Sequence, residues 1–162
     1  MLDLSLFETL DSEQIHWMTL AIAGVVIADG IIDNEERNVV KDILVHMESL
    51  EKAESMLAVL TAKKIPTLPK ITIQDRSVAV EMLFTAIGVA IVDDHLSPTE
   101  AKYLMYVGAV LSFPKEFIED CLDWAKEQTE MNRRRMRITQ RGTTLNLYDP
   151  NLIGECSKKL DF

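Results

Sequence analysis

Cysteine, glycine and proline are all scarce in this chain, and each shortage excludes something. Two cysteines, Cys121 and Cys156, stand among 162 residues. They are too few for a disulfide framework and lie at no metal-ligand spacing, so reduced thiols of a cytosolic protein are expected. Six glycines and five prolines disfavour an all-β chain, which needs many turns. Long apolar runs are missing too. The longest, from Leu20 to Ala28, is stopped by Asp29, far short of the ~20 residues of a membrane span. The N-terminal stretch MLDLSLFETLDSEQ is acidic, whereas a secretory leader is basic. A cytoplasmic protein with no integral membrane segment is expected. No glycine loop for phosphate, no G-x-S-x-G elbow and no H-E-x-x-H is present, so no catalytic role is expected. Cys121 is flanked by acids in EDCLD, which raises a thiol pKa and makes a poor nucleophile.

What remains is an ordinary globular composition, 48% hydrophobic and 27% charged, long enough for one domain with a sizeable core. The net charge of −9 is unevenly spread. Residues 1–130 hold 10 Lys/Arg against 23 Asp/Glu, a balance of −13; residues 131–162 hold 7 against 3, a balance of +4. The acidic body should repel nucleic acid.

Helical punctuation recurs along the chain. Asp11 or Ser12 caps a first helix, with Gln14 near its third position. Ile15, Met18, Ile22, Val25 and Val26 form one apolar side, and Trp17, Ala21, Gly24 and Ala28 the other. A helix apolar on most sides belongs in the middle of a bundle. Asp29-Gly30 stops it. Asp33 and Glu36 make a capping box for a second helix, and a third runs from about Ser49 to Lys63. KKIPTLPKI, residues 63–71, is a linker, because its prolines cannot sit inside a helix. Helix resumes at Thr72 and ends at Asp93-Asp94. Ser97, Pro98 and Glu100 supply three start signals for the next, and a last helix runs from Pro114 to about Glu130. Beyond it, RMRITQRGTTLNLYD alternates weakly around Arg141-Gly142, which predicts an extended or hairpin-like arm.

Two stretches repeat. Asp29 set over Asp93, an offset of 64, places Asp33 on Ser97, Glu36 on Glu100 and Gly24 on Gly88. The expected architecture is therefore a single-domain, all-α helical bundle, built from two duplicated helix-loop-helix units that bury each other's apolar helices. The body covers residues 1–130 and the basic arm 131–162. Gly24 and Gly88 would let the central helices cross closely.

The two halves, AIAGVVIADGIIDNEERNVV and AIGVAIVDDHLSPTEAKYLMYVGAVLSFP, resemble the TerB-like family of tellurite-resistance proteins. Its signature is Ala-Asp-Gly followed by a Ser/Asp-x-x-Glu helix start. Ala28, Asp29, Gly30, Asp33 and Glu36 follow it; Val92-Asp93-Asp94 departs from it in the second half. Aspartate tolerates the left-handed position better than most residues, so that loop can survive. The resemblance covers about residues 10–128 and not the arm. It implies an all-α bundle, a role in stress response, and divalent metal held by acidic loops.

Asp29, Asp33, Glu36, Asp93, Asp94 and Glu100 are the candidate metal ligands. If both loops share one end of the bundle, these carboxylates converge, and their oxygens suit calcium, magnesium or manganese. His95 would shift the preference toward zinc or nickel. The competing reading is purely architectural: Asp33 and Ser97 as caps, Glu36 and Glu100 as their reciprocal partners, Asp29 and Asp93 as acceptors of loop N–H groups. An EF-hand is excluded, since its twelfth position counted from Asp29 is Val40. A metal-free adaptor is the alternative function, binding a protein partner through the acidic face or the basic arm, and the arm offers a route to a homodimer. An enzyme built on an acidic metal site is a third reading that no motif favours.

Overall fold

A helix apolar around its whole circumference has no side to turn to water, and such a helix stands at the centre of this protein. The computed structural model describes residues 4–30, 34–45 and 50–145. A single 3-10 turn, Ser5–Glu8, precedes α1 (Ser12–Ala28), α2 (Asn34–Val45), α3 (Leu50–Ala62), α4 (Arg76–Ala90), α5 (Pro98–Val110) and α6 (Lys115–Thr144). No strand occurs among the described residues. The chain divides into two units after Met131.

The first unit is organised around α1. A capping box starts it: the Gln14 N–H donates to Asp11 Oδ1 (2.9 Å) and the Asp11 N–H donates to Gln14 Oε1 (3.1 Å). Two orphan donors of the first turn are thereby satisfied. Trp17, Met18, Thr19, Ile22, Ala23, Val26 and Ile27, which point to most sides of the helix, are then all buried. Only a ring of other helices can cover all of them, and α2, α3, α4 and α5 each pack on α1. The apolar α4 buries Met82, Leu83, Ala86, Ile87 and Val89, and α5 packs on it as well. Ile118, Cys121, Leu122 and Ala125 of α6 complete the core.

Residues 64–73, between α3 and α4, carry no regular structure but are pinned in place. The Trp17 indole N–H donates to the Pro69 carbonyl (2.9 Å) and the Leu68 N–H donates to the Tyr106 hydroxyl (3.0 Å). Leu68 and Ile73 are buried. This anchoring delays the next helix. It begins not at Thr72 but at Arg76, with Asp75 as N-cap accepting the Ser77 N–H (3.0 Å). The Arg76 guanidinium donates to the Leu111 carbonyl (2.9 Å) and lies over the Phe113 ring.

Two expectations need correction. The last helix does not stop near Glu130 but continues to Thr144. The described part of the expected hairpin-like arm is thus helical, and residues 146–162 lie outside the described residues. Met, Arg and Gln are good helix formers, and no proline interrupts them; that propensity outweighs a weak alternation. Second, the space beside Gly24 is filled by α5, not by the other central helix. A Cβ built on Gly24 would collide with the Tyr103 hydroxyl and ring. The ring sits where a side chain would be, and Tyr103 is itself buried.

Gly24→Ala should therefore destabilise the fold by about 1–3 kcal/mol through overpacking. Urea unfolding of Gly24→Ala, Tyr103→Leu and the double variant tests this. The double variant should lose less than the sum of the single losses. Additive losses would show that the Tyr103 ring is not what excludes the methyl group.

Candidate functional site

The two acidic loops close their helices in the same way. After α1, Gly30 takes φ +77° and its N–H donates to the Ile27 carbonyl (2.9 Å). After α4, Asp94 takes φ +60° and its N–H donates to the Ile91 carbonyl (3.0 Å). Both pairs are 64 residues apart in the chain. The left-handed conformation is free for glycine and tolerated by aspartate, so Gly30 and Asp94 do the same backbone work.

The carboxylates of the second loop have structural partners. Asp93 Oδ1 accepts the His95 N–H (2.9 Å). Ser97 and Glu100 form the capping box that their spacing predicts. The Ser97 N–H donates to Glu100 Oε2 (2.7 Å) and the Glu100 N–H donates to Ser97 Oγ (3.2 Å). Pro98 fills the first position of α5, where a missing N–H does no harm. Glu100 is only 3% exposed. Burial pushes its carboxyl above the usual range; the hydrogen bonds from Ser97 oppose this, and the carboxylates of Asp29 and Asp93 add to it. Asp29 from the first loop and Asp93 from the second thus both act on one buried acid.

Of the six candidate ligands, Asp29 and Asp94 are half-buried, Asp93 is exposed and Glu100 is buried in the cap. Asp33 and the side chain of Glu36 lie outside the described residues. No group of three or more His, Cys, Asp or Glu side chains is arranged to hold a metal ion among the described residues. One oxygen of Glu100 and one of Asp93 already accept backbone N–H groups. Elsewhere, burial first and Asp120 second push the Cys121 thiol up, as the EDCLD context predicts, and a protonated thiol is a weak nucleophile.

One concavity has no counterpart in the motif analysis. A pocket of about 420 Å³ opens between the linker and the face of α5 that carries Thr99, Lys102, Tyr103 and Tyr106. These four positions follow the i, i+3, i+4, i+7 rule of one helical face. That spacing is visible in the chain, but the linker covering it is not.

No family model, no curated protein and no solved structure matches this chain.

The Glu100 environment predicts a pH dependence. A carboxyl whose folded pKa is raised contributes stability below its unfolded value, and loses it as pH rises through the folded value. Glu100→Gln keeps the capping geometry, since glutamine also serves at this position. Relative to Glu100→Gln, the parent protein should lose stability as pH rises from about 4.5, the ordinary carboxyl value, toward neutrality. The variant should gain on the parent steadily over that range. Thermal melts from pH 4 to 7 measure this; parallel curves would refute it.

Proposed function

We propose that this protein is a TerB-like, non-catalytic interaction module, built from two copies of one helix-loop-helix unit and engaging a protein partner through its basic C-terminal stretch. The observation that carries the interaction is the surface of α6 beyond the unit boundary. Arg133, Arg134, Arg135, Arg137 and Arg141 are exposed there, and so are Met136, Ile138 and Leu145. Arginine beside exposed apolar side chains is the composition of interface hot spots. An acidic partner surface would complement it, and the acidic body of a second copy, net −13 by sequence, is one such surface. A homodimer through this stretch is the simplest assembly of this kind. The duplication is supported by the matched positive-φ closures at Gly30 and Asp94 and by the packing of α1 against α4. A place in a stress response, tellurite resistance among them, rests on the resemblance alone.

The second reading is a divalent cation at the acidic loops, with Asp29, Asp33, Glu36, Asp93, Asp94 and Glu100 as its candidate ligands. It is favoured by the shared influence of Asp29 and Asp93 on Glu100. Binding only the folded state would raise stability with metal concentration.

Light scattering and affinity capture, on the full chain and on a chain ending at Met131, test the first reading. The shorter chain should lose assembly mass or partner, and the full chain should lose them as salt rises. An unchanged mass and an unchanged partner set would remove it. Calorimetry with calcium, magnesium, manganese and zinc tests the second. No heat and no gain in melting temperature at millimolar metal would remove that one.

A further inference from the structure

We infer that the pocket between α5 and the proline linker binds a small monocarboxylate with an apolar body. Its volume, about 420 Å³, falls in the range of small-molecule sites. The walls are preformed. One is the α5 face, which belongs to a capped helix; the other is Ile65, Pro66 and Thr67, held down where Leu68 bonds Tyr106 and Pro69 bonds Trp17. Ala28, at the end of α1, closes the third side.

The lining chemistry selects the ligand. Ile65, Pro66, Ala28 and the rings of Tyr103 and Tyr106 present apolar surface. Lys102 is the one charged lining group. It is exposed, and it makes no ion pair among the described residues. The Tyr106 oxygen accepts the Leu68 N–H, which leaves its own proton to donate. Thr67 adds a hydroxyl, while that of Thr99 is hydrogen-bonded with Ser97 Oγ (3.1 Å). One cation with hydroxyl donors, set on an apolar floor, fits an anionic head on an apolar body. A singly charged head matches the single lining cation, Lys102. The Tyr103 hydroxyl takes no part: it is buried against Gly24 and has no hydrogen-bond partner.

Calorimetry and NMR titration of the full chain test the site, with indole-3-acetate, its neutral amide indole-3-acetamide, and the dianion phenyl phosphate. The acid should bind about two- to fivefold more tightly than the amide, the increment of one exposed ion pair, and more tightly than the phosphate. It should shift the Ala28 and Tyr106 resonances. Lys102→Met should reduce the acid to the affinity of the amide. Thr67→Trp, which fills the pocket from the exposed linker, should abolish both. Melting curves of the two variants should match the parent, since neither position is buried. Equal affinity for acid and amide, tighter binding of the phosphate, binding that survives Thr67→Trp, or no acid binding in the millimolar range would each overturn the site.

Discussion

The structure depends on hiding α1. Trp17, Met18, Thr19, Ile22, Ala23, Val26 and Ile27 lie around most of the circumference of that helix, and all are at most 5% exposed. Each large apolar side chain withdrawn from water contributes about 1.5–3 kcal/mol, so no orientation of α1 at a surface is tolerable. Four helices must be brought against it. The rest of the fold serves that requirement: loops that turn the chain within a few residues, and a linker that carries it from α3 to α4. Gly24 belongs to the same solution. Its missing side chain is the notch through which the Tyr103 ring reaches α1, and shape complementarity of that kind gives a core one arrangement instead of several.

Tight turns at the end of the core helices account for much of the acidity there. Each loop needs a residue that accepts positive φ, an acceptor for exposed N–H groups, and a cap for the next helix. Aspartate, serine and glutamate meet these needs through short-range hydrogen bonds. Asp93, Ser97 and Glu100 are engaged in that way. The consequence is electrostatic: a buried glutamate feels the charges of Asp29 and Asp93, and its carboxyl holds its proton more tightly. The side chains that cap the helices therefore also set the electrostatics at this buried acid.

The proline linker shows how a connection becomes a wall. Pro66 and Pro69 restrict their own φ and the residues before them, so the segment runs extended and loses little entropy when pinned. Two hydrogen bonds from side chains on different helices then hold it over α5. A flexible linker of the same length would cover the same helix face without defining a cavity.

The amino-acid sequence by itself determined what is written in short spacings. The boxes of Asp11 with Gln14 and of Ser97 with Glu100, the glycine closure at Gly30 and the aspartate closure at Asp94 all act over four residues or fewer, so residue identity settles them without reference to the rest of the chain. The all-helical class followed from the same spacings. The start of α4 is not written in its local signals, because the anchoring of Leu68 and Trp17's bond to Pro69 are long-range. The extent of α6 follows the helical preference of its arginines and methionines, which a weak alternation masks. Only the tertiary structure decided that Tyr103 occupies the space at Gly24, that Asp29 and Asp93 both act on Glu100, and that the linker roofs Thr99, Lys102 and Tyr106. Apart from Asp93 and Glu100, those partners lie tens of residues apart, and they are chosen by which helix faces are left over once α1 has been covered, which is a property of the packed whole.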